Sequence, residues 1–247
     1  MSFNLIRKFN KYYAPFTIRY NSDKILWKAH REINGHKIEF YYRPISLDEF
    51  IMKEIFEDNA YKIKKELYLN ARVLDLGGHI GLYSLYAHCF TDDITSFEPD
   101  ERNLKYFNLN LTQNKIIGDI SIIPFVIDGT QAREAKLYLY PNTGNNTTIP
   151  FPFNGKETKM IPNLDINSYL PCDILKIDIE GAEYDVFKSI QRLDEIHKAI
   201  TIEVHYHVPD WKNKLNYMVK ELISNHFKIE YVNKFSYNGH IYAERTN

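Results

Sequence analysis

Val73-Leu74-Asp75-Leu76-Gly77-Gly78-His79-Ile80-Gly81 reads as a strand that runs into a knot of glycines and then into a helix over Ile80 to Phe90. The chain holds only 10 glycines in 247 residues, and Gly77, Gly78 and Gly81 crowd into this one turn. Glycines between a strand and a helix let a ligand approach the backbone closely. The dinucleotide spacing Gly-x-Gly-x-x-Gly, aligned on Gly78 and Gly81, needs glycine at position 76, where Leu76 stands. No Gly-Lys-Ser/Thr phosphate loop occurs either. The turn instead carries Asp75, whose carboxylate would repel a pyrophosphate and could accept from the ammonium of an amino acid.

Downstream of this turn, short apolar runs alternate with helical stretches. Ile94 to Phe97 is a strand stopped by Glu98-Pro99, and Asp100 to Asn114 a helix with Leu104, Phe107 and Leu111 on one face. Ile120 to Ile127 is expected as a third strand, ending at Asp128-Gly129. Lys136 to Tyr140 adds a strand before a long loop over residues 141–158. Alternation resumes with strands at Ile174 to Ile179 and Ala199 to Val204 and helices at Gly181 to Leu193 and Leu215 to Asn225. Phe227 to Val232 and Ile241 to Glu244 close the chain as a hairpin joined near Asn238-Gly239. Residues 1–70 form an aromatic and basic N-terminal extension or cap, with a hairpin at Asn34-Gly35 and a helix from Leu47 to Tyr61. The prediction is an α/β fold: a doubly wound, mostly parallel sheet over residues 71–247, with a terminal antiparallel hairpin placing one strand at or near an edge.

Such sheets bind ligands beyond the carboxyl ends of their strands. That rule selects Asp75 with the glycines, Glu98, Asp128, Asp178 to Glu180, and Glu203 to His205. A rim this acidic suits a cationic, hydroxyl-rich ligand better than a phosphate. Glu98, ending the second strand, is placed to hold a ribose diol, while Asp75 faces an amino-acid end. The two together describe S-adenosylmethionine. Asp128, at the end of the third strand, either accepts from the adenine amino group or serves as a turn aspartate.

The ordered set of motifs resembles the FkbM family of S-adenosylmethionine-dependent methyltransferases. It comprises the opening stretch, Phe97-Glu98-Pro99 with Asn103, Leu164-Asp165, and Asp173-Ile174-Leu175-Lys176-Ile177-Asp178-Ile179-Glu180-Gly181-Ala182-Glu183. The resemblance spans about residues 60–205. It implies a class I, Rossmann-like methyltransferase domain and O-methyl transfer to hydroxyls of sugars, glycolipids or secondary metabolites. Cofactor contacts are then expected from Asp75, Gly77, Gly78, His79, Gly81, Glu98 and Asp128. His79 stands where the family usually has asparagine, and both residues tolerate unusual backbone angles.

Methyl transfer from a sulfonium needs an aligned acceptor oxygen and a group to take its proton. By period-two alternation Lys176, Asp178 and Glu180 share one side of a strand, and Glu203, His205 and His207 share one side of its neighbour. Asp178 and Glu180 are expected to orient the acceptor, and His205 or Glu203 to take the proton. Glu180 could instead favour a helix N-terminus, Lys176 could pair with a carboxylate, and His207 could be a surface residue. Asp178, Glu203 and His205 offer mixed oxygen and nitrogen ligands, yet no compact ligand motif accompanies them, and no resident metal is expected. Asn142, Asn145, Asn146 and Thr147 could hydrogen-bond a polar acceptor or simply line a solvated loop.

Composition narrows the classes. Lys and Arg total 31 against 32 Asp and Glu, a net charge of −1 without a basic run, which argues against a nucleic-acid partner. Cys89 and Cys172 make neither a disulfide framework nor a zinc spacing and suit a reducing, cytoplasmic location. Arg7, Lys8 and Lys11 interrupt any signal-peptide core, and no apolar run reaches the ~18 residues of a membrane span. The expected enzyme is an O-methyltransferase acting on a sugar, surface-polysaccharide or glycolipid hydroxyl. The alternatives are a non-catalytic cofactor-binding scaffold, a methyltransferase for a non-sugar acceptor, and a nicotinamide oxidoreductase, which Leu76 disfavours.

Overall fold

The computed structural model describes residues 19–21, 24–141, 143–149, 157–234 and 237–246. Strands β1 (Arg19–Asn21), β2 (Lys24–Ile33) and β3 (His36–Tyr42) form an antiparallel sheet ahead of the glycine turn. Asn34 and Gly35 both take positive φ, 51° and 81°. That is the backbone a tight two-residue hairpin requires. Helix α1 (Leu47–Phe56) follows, its first turn capped by Ser46, which accepts from the Asp48 N–H. The short helix α2 (Lys65–Tyr68) then leads into the main sheet.

That sheet contains β4 (Val73–Leu76), β5 (Ile94–Phe97), β6 (Ile120–Ile123), β9 (Cys172–Ile177), β10 (Ile196–His205), β11 (Phe227–Lys234) and β12 (Asn238–Arg245). Its order is β11-β12-β10-β9-β4-β5-β6. The pairs joining β10, β9, β4, β5 and β6 are parallel, and β12 runs antiparallel to both its neighbours. Chain order reverses direction across β4 and β9, so the crevice for a ligand opens at their carboxyl ends. Helices α3 (Leu82–His88), α4 (Glu101–Asn114), α5 (Glu183–Ser189) and α6 (Trp211–Ser224) flank the sheet. This is the class I methyltransferase architecture.

Strand alternation assigns the two faces. Val73, Ile174 and Ala199 join one core with Phe40, Met52, Ile55 and Phe107, so residues from the extension cover that face together with α4. Leu74, Leu76, Leu175, Ile177 and Ile202 join the other, against Val186, Phe187, Met218 and Leu222 of α5 and α6. Asn110 of α4 secures the extension: its Oδ1 accepts from Tyr41 N at 2.7 Å, and its Nδ2 donates to the Ile80 carbonyl at 2.9 Å.

Several elements depart from expectation. The third strand ends at Ile123, not Ile127. Pro124 has no N–H to continue the ladder, and Val126 turns away, donating to Pro162 O at 3.1 Å and accepting from Leu164 N at 2.9 Å. Strand β8 (Glu157–Pro162) was not anticipated, and it pairs antiparallel with β7 (Glu134–Leu139). The helix expected to reach Leu193 ends at Ser189, and Leu193–Glu195 is a separate 3-10 turn. Asn238 and Gly239 lie in β12, not in the turn before it. Among the described residues no helix is long and apolar enough to cross a membrane.

Candidate active site

The glycine turn is set by close packing. Gly77 and Gly78 N–H both donate to the Phe97 carbonyl, at 3.0 and 2.9 Å. Gly77 has φ +84°, and a Cβ there would stand 1.8 Å from the Asp178 carbonyl oxygen. The end of β9 therefore rests directly on the turn, and only glycine permits it. His79 follows in the left-handed region at φ 51°. Its N–H donates to Glu98 Oε2 at 2.8 Å, while Asp100 N–H donates to Glu98 Oε1, also at 2.8 Å. Glu98 is only 5% exposed. Burial pushes its pKa up to about 7 despite those donors.

The extension holds His79 from the other side. Arg43 donates through N, Nε and Nη2 to the Asp48 carboxylate at 2.8, 2.9 and 2.8 Å, and Nη2 also lies 3.0 Å from His79 Nε2. Burial lowers the His79 pKa to about 4. A neutral ring accepts from the guanidinium through that nitrogen.

Beyond the turn lies a cavity of about 510 Å³, bounded by Gly77 to His79, Glu98, Phe125 to Ile127, Asp178 to Glu180, Glu203 and His205. Three expected cofactor residues are not among those that line it. Asp75 is fully buried on the face covered by the extension; its Oδ2 accepts from Ser84 and Ser96 hydroxyls at 2.7 and 3.0 Å. Its Oδ1 faces Lys176 Nζ at 3.1 Å. Asp75 thus holds Lys176, not a ligand's ammonium, and Lys176 Nζ in turn donates to the Leu76 and Gly77 carbonyls at 3.2 and 2.7 Å. Gly81 precedes α3 with its Cα against the Phe107 ring, so it serves packing. Asp128 is a turn residue: its Oδ1 accepts from Thr130 N and Oγ1, both at 2.8 Å, and from Asn163 Nδ2 at 2.7 Å. The early end of β6 at Pro124 moves it off the strand rim.

Across the cavity from Glu98 the structure gathers Asp178, Glu180, Glu203 and His205. A ligand-type atom from each of Asp178, Glu203 and His205 lies within 4.8 Å of the others. His205 Nδ1 meets Glu183 Oε1 at 2.7 Å, and Nε2 lies 3.3 Å from Glu180 Oε2 and 3.7 Å from Glu203 Oε1. Glu180 and Glu183 hold the imidazole well above its usual pKa, against the cost of burial. Glu203 accepts from Tyr61 Oη at 3.1 Å and from Asn238, and His240 Nε2 lies 3.3 Å away. Those donors and the two histidines outweigh its burial and keep it ionised. Tyr61 Oη also donates to Asp178 Oδ2 at 2.7 Å. Burial first, then the Glu203 charge, raises the Asp178 pKa, and burial raises that of Glu180.

From the sequence alone Glu54, Tyr61, Glu183, Asn238 and His240 carry no assigned site role. Glu54 carried a signal: it falls between Ile51 and Ile55 on the apolar stripe of α1, where a carboxylate is out of place. It is 6% exposed and lines the cavity, and burial raises its pKa to about 8. Glu183 accepts from Gly181 N–H at 2.8 Å, so it and not Glu180 fills the role at the start of α5. His207, expected at the surface, is half-buried and lines the cavity. Asn146 and Thr147 tie the β7–β8 connection to the rim, Thr147 Oγ1 donating to Glu180 O at 2.6 Å and Asn146 Nδ2 to Asp100 Oδ2 at 2.5 Å. Asn142 lies outside the described residues.

These residues fit S-adenosylmethionine. The cavity volume falls within the ~300–1,000 Å³ of small-ligand sites. Glu98, both of whose oxygens already accept from backbone, presents further lone pairs to a diol, and the carboxylates opposite suit a sulfonium.

The Methyltransferase FkbM domain matches residues 75–231. Methyltransferase sdnD of Sordaria araneosa is 28% identical over 203 residues, covering 67% of this chain and 76% of its own. Methyltransferase 1 of Beauveria bassiana (strain ARSEF 2860) is 25% identical over 181 residues, covering 60% and 68%. Among solved structures, an rRNA methylase from Streptococcus thermophilus superposes with a TM-score of 0.49 at 11% identity, covering 83% of this chain and 98% of that one. Precorrin-6y C5,15-methyltransferase from Geobacter metallireducens GS-15 gives 0.45 at 9% identity, covering 76% and 85%. The fold assignment rests on the strand order and not on these superpositions. With the FkbM domain matching more than half of its length, the chain belongs to the FkbM family of S-adenosylmethionine-dependent methyltransferases.

Proposed function

We propose that this enzyme methylates a hydroxyl oxygen of a sugar or glycolipid precursor. The observation that carries the reading is the carboxylate cluster across the cavity from Glu98. When bound, S-adenosylmethionine supplies an electrophilic methyl group. The protein's part is to align an acceptor oxygen and take up its proton.

His205 is a poor candidate for that proton, because both its ring nitrogens already face carboxylates. Asp178 and Glu180 are the members most open to the cavity, with 22% and 20% of their side chains exposed. One of them takes the proton while the other orients the hydroxyl. Acidic side chains and the amide of Asn145, which also lines the cavity, suit a polyhydroxylated acceptor. Exposed Phe50 and Tyr237 at the cavity margin suit an attached apolar portion.

Transfer of a radiolabelled methyl group to sugar and glycolipid acceptors tests the reading. Asp178→Asn and Glu180→Gln are each expected to lower turnover by ~100-fold or more, a larger loss than either causes in S-adenosylhomocysteine affinity. Undiminished turnover in both variants would remove the carboxylate role. Label incorporated only into acceptors without hydroxyls would remove O-methyl transfer.

A further inference from the structure

We infer that Asp178, Glu203 and His205 form a binding site for a divalent cation of the magnesium–manganese type, with Glu54 beside it. Ligand-type atoms from the three side chains lie within 4.8 Å of one another. Neighbouring oxygen or nitrogen ligands of an octahedral ion at about 2.1 Å stand ~3 Å apart, and opposite ones ~4.2 Å, so small side-chain rotations close the set.

Two further observations point to an ion. Glu54 comes from α1, far away in sequence, and lies 94% buried on the cavity wall. Its Oε1 has no hydrogen-bond partner. Its strongest charged neighbours are Glu203, His240 and Asp178, in that order. An unpartnered carboxylate oxygen beside two other carboxylates is costly unless a proton or a cation joins them. Lys176 Nζ, 3.6 Å from Asp178, and His240 Nε2, 3.3 Å from Glu203, offset part of that charge, and a divalent ion would offset the rest. His205 supplies the second observation. Its Nδ1 meets Glu183 Oε1 at 2.7 Å, and Glu183 is fully buried. A carboxylate on the far nitrogen is the arrangement that fixes a metal-binding imidazole, leaving Nε2 to face the ion. Without an ion, a proton on Nε2 bridges toward Glu180 and Glu203 and takes the cation's place.

Two carboxylate oxygens and one imidazole disfavour the metals that prefer sulfur, and manganese accepts such a mixed set. Three protein ligands leave octahedral positions open. These would take water or the acceptor's own oxygens, and a hydroxyl bound there releases its proton more easily. With Asp178 occupied by the ion, Glu180 remains to receive that proton. The site stands or falls separately from the acceptor assignment: a metal-free protein could still methylate a hydroxyl, and a metal-loaded one could act on another group.

Manganese titration of the full-length protein, followed by electron paramagnetic resonance, tests this. One Mn²⁺ per chain is expected, with nitrogen hyperfine coupling that changes when the histidines carry ¹⁵N. Glu203→Gln and His205→Ala should weaken binding by ~100-fold or more, and Glu183→Gln by ~10–100-fold. Circular dichroism distinguishes this loss from misfolding. Should a variant unfold, the nitrogen coupling of the wild-type protein decides alone. His88→Ala, in a surface group with Asp92 and Asp119, should change nothing. No bound Mn²⁺ at millimolar concentration, bound Mn²⁺ without nitrogen coupling, or equal binding in folded Glu203→Gln and His205→Ala would overturn the site.

Discussion

Glu98 shows how one side chain ties two stretches of backbone together at the cavity edge. Its oxygens take the N–H groups of His79 and Asp100 at 2.8 Å each, so the glycine turn and the start of α4 meet on one carboxylate. Burial raises its pKa to about 7. Below that pH the group is a neutral acid, and above it a carboxylate that accepts better from a ribose diol. Affinity for S-adenosylhomocysteine should therefore rise with pH, being ~10-fold weaker at pH 6 than on the plateau above pH 8. Calorimetric titration across that range checks it, and a flat profile would remove the diol contact. The place of Glu98 on the cavity rim was legible because it ends a strand directly before Pro99. Asp75 was misread for a local reason: alternation along β4 turns it toward the face beneath the extension. Its partners there, Lys176, Ser84 and Ser96, are distant in sequence.

Helix α1 and the turn before it act as a bracket on the cofactor loop. Asp48 is 1% exposed and receives three bonds from Arg43, which reaches on to His79. Removing one partner of such a pair leaves a buried charge uncompensated, at about 3–5 kcal/mol. Arg43 keeps 19% of its side chain exposed, so the lower end is expected. Asp48→Asn should lower unfolding free energy by ~3 kcal/mol and weaken S-adenosylhomocysteine binding as the His79 backbone loosens. Denaturant unfolding with the titration repeated checks both, and a loss under ~1 kcal/mol with unchanged affinity would contradict the bracket. Periodicity revealed α1 from Ile51 and Ile55, and Asn34-Gly35 revealed the hairpin. What periodicity could not show was what lies beside the helix and the turn after it, because the approach of Glu54 to the Glu203 charge and the bond from Tyr61 to Glu203 depend on tertiary packing. Pro124 was a legible stop that the apolar run through Ile127 concealed.

For the molecule as a whole, alternating strands and helices foretold the parallel sheet, and the terminal hairpin foretold an antiparallel strand near its edge. The strand order was not legible, since sequence does not state which side of β4 receives β9. That order creates the site: it brings Gly77 against the Asp178 carbonyl and sets Glu98 opposite Glu203 and His205. It also lets residues from the extension share a core with the sheet face, as Phe40 and Met52 do with Val73 and Ile174. The cofactor is expected to lie along the carboxyl edge of this sheet, from Glu98 to Asp178. Hydrogen–deuterium exchange with and without S-adenosylhomocysteine tests it across the whole chain. Slowed exchange is expected in peptides spanning Gly77–Gly81, Glu98–Asn103 and Ile179–Gly181, and none around His88 and Asp119. Protection confined to other segments, or unchanged exchange in those three at saturating ligand, would contradict it.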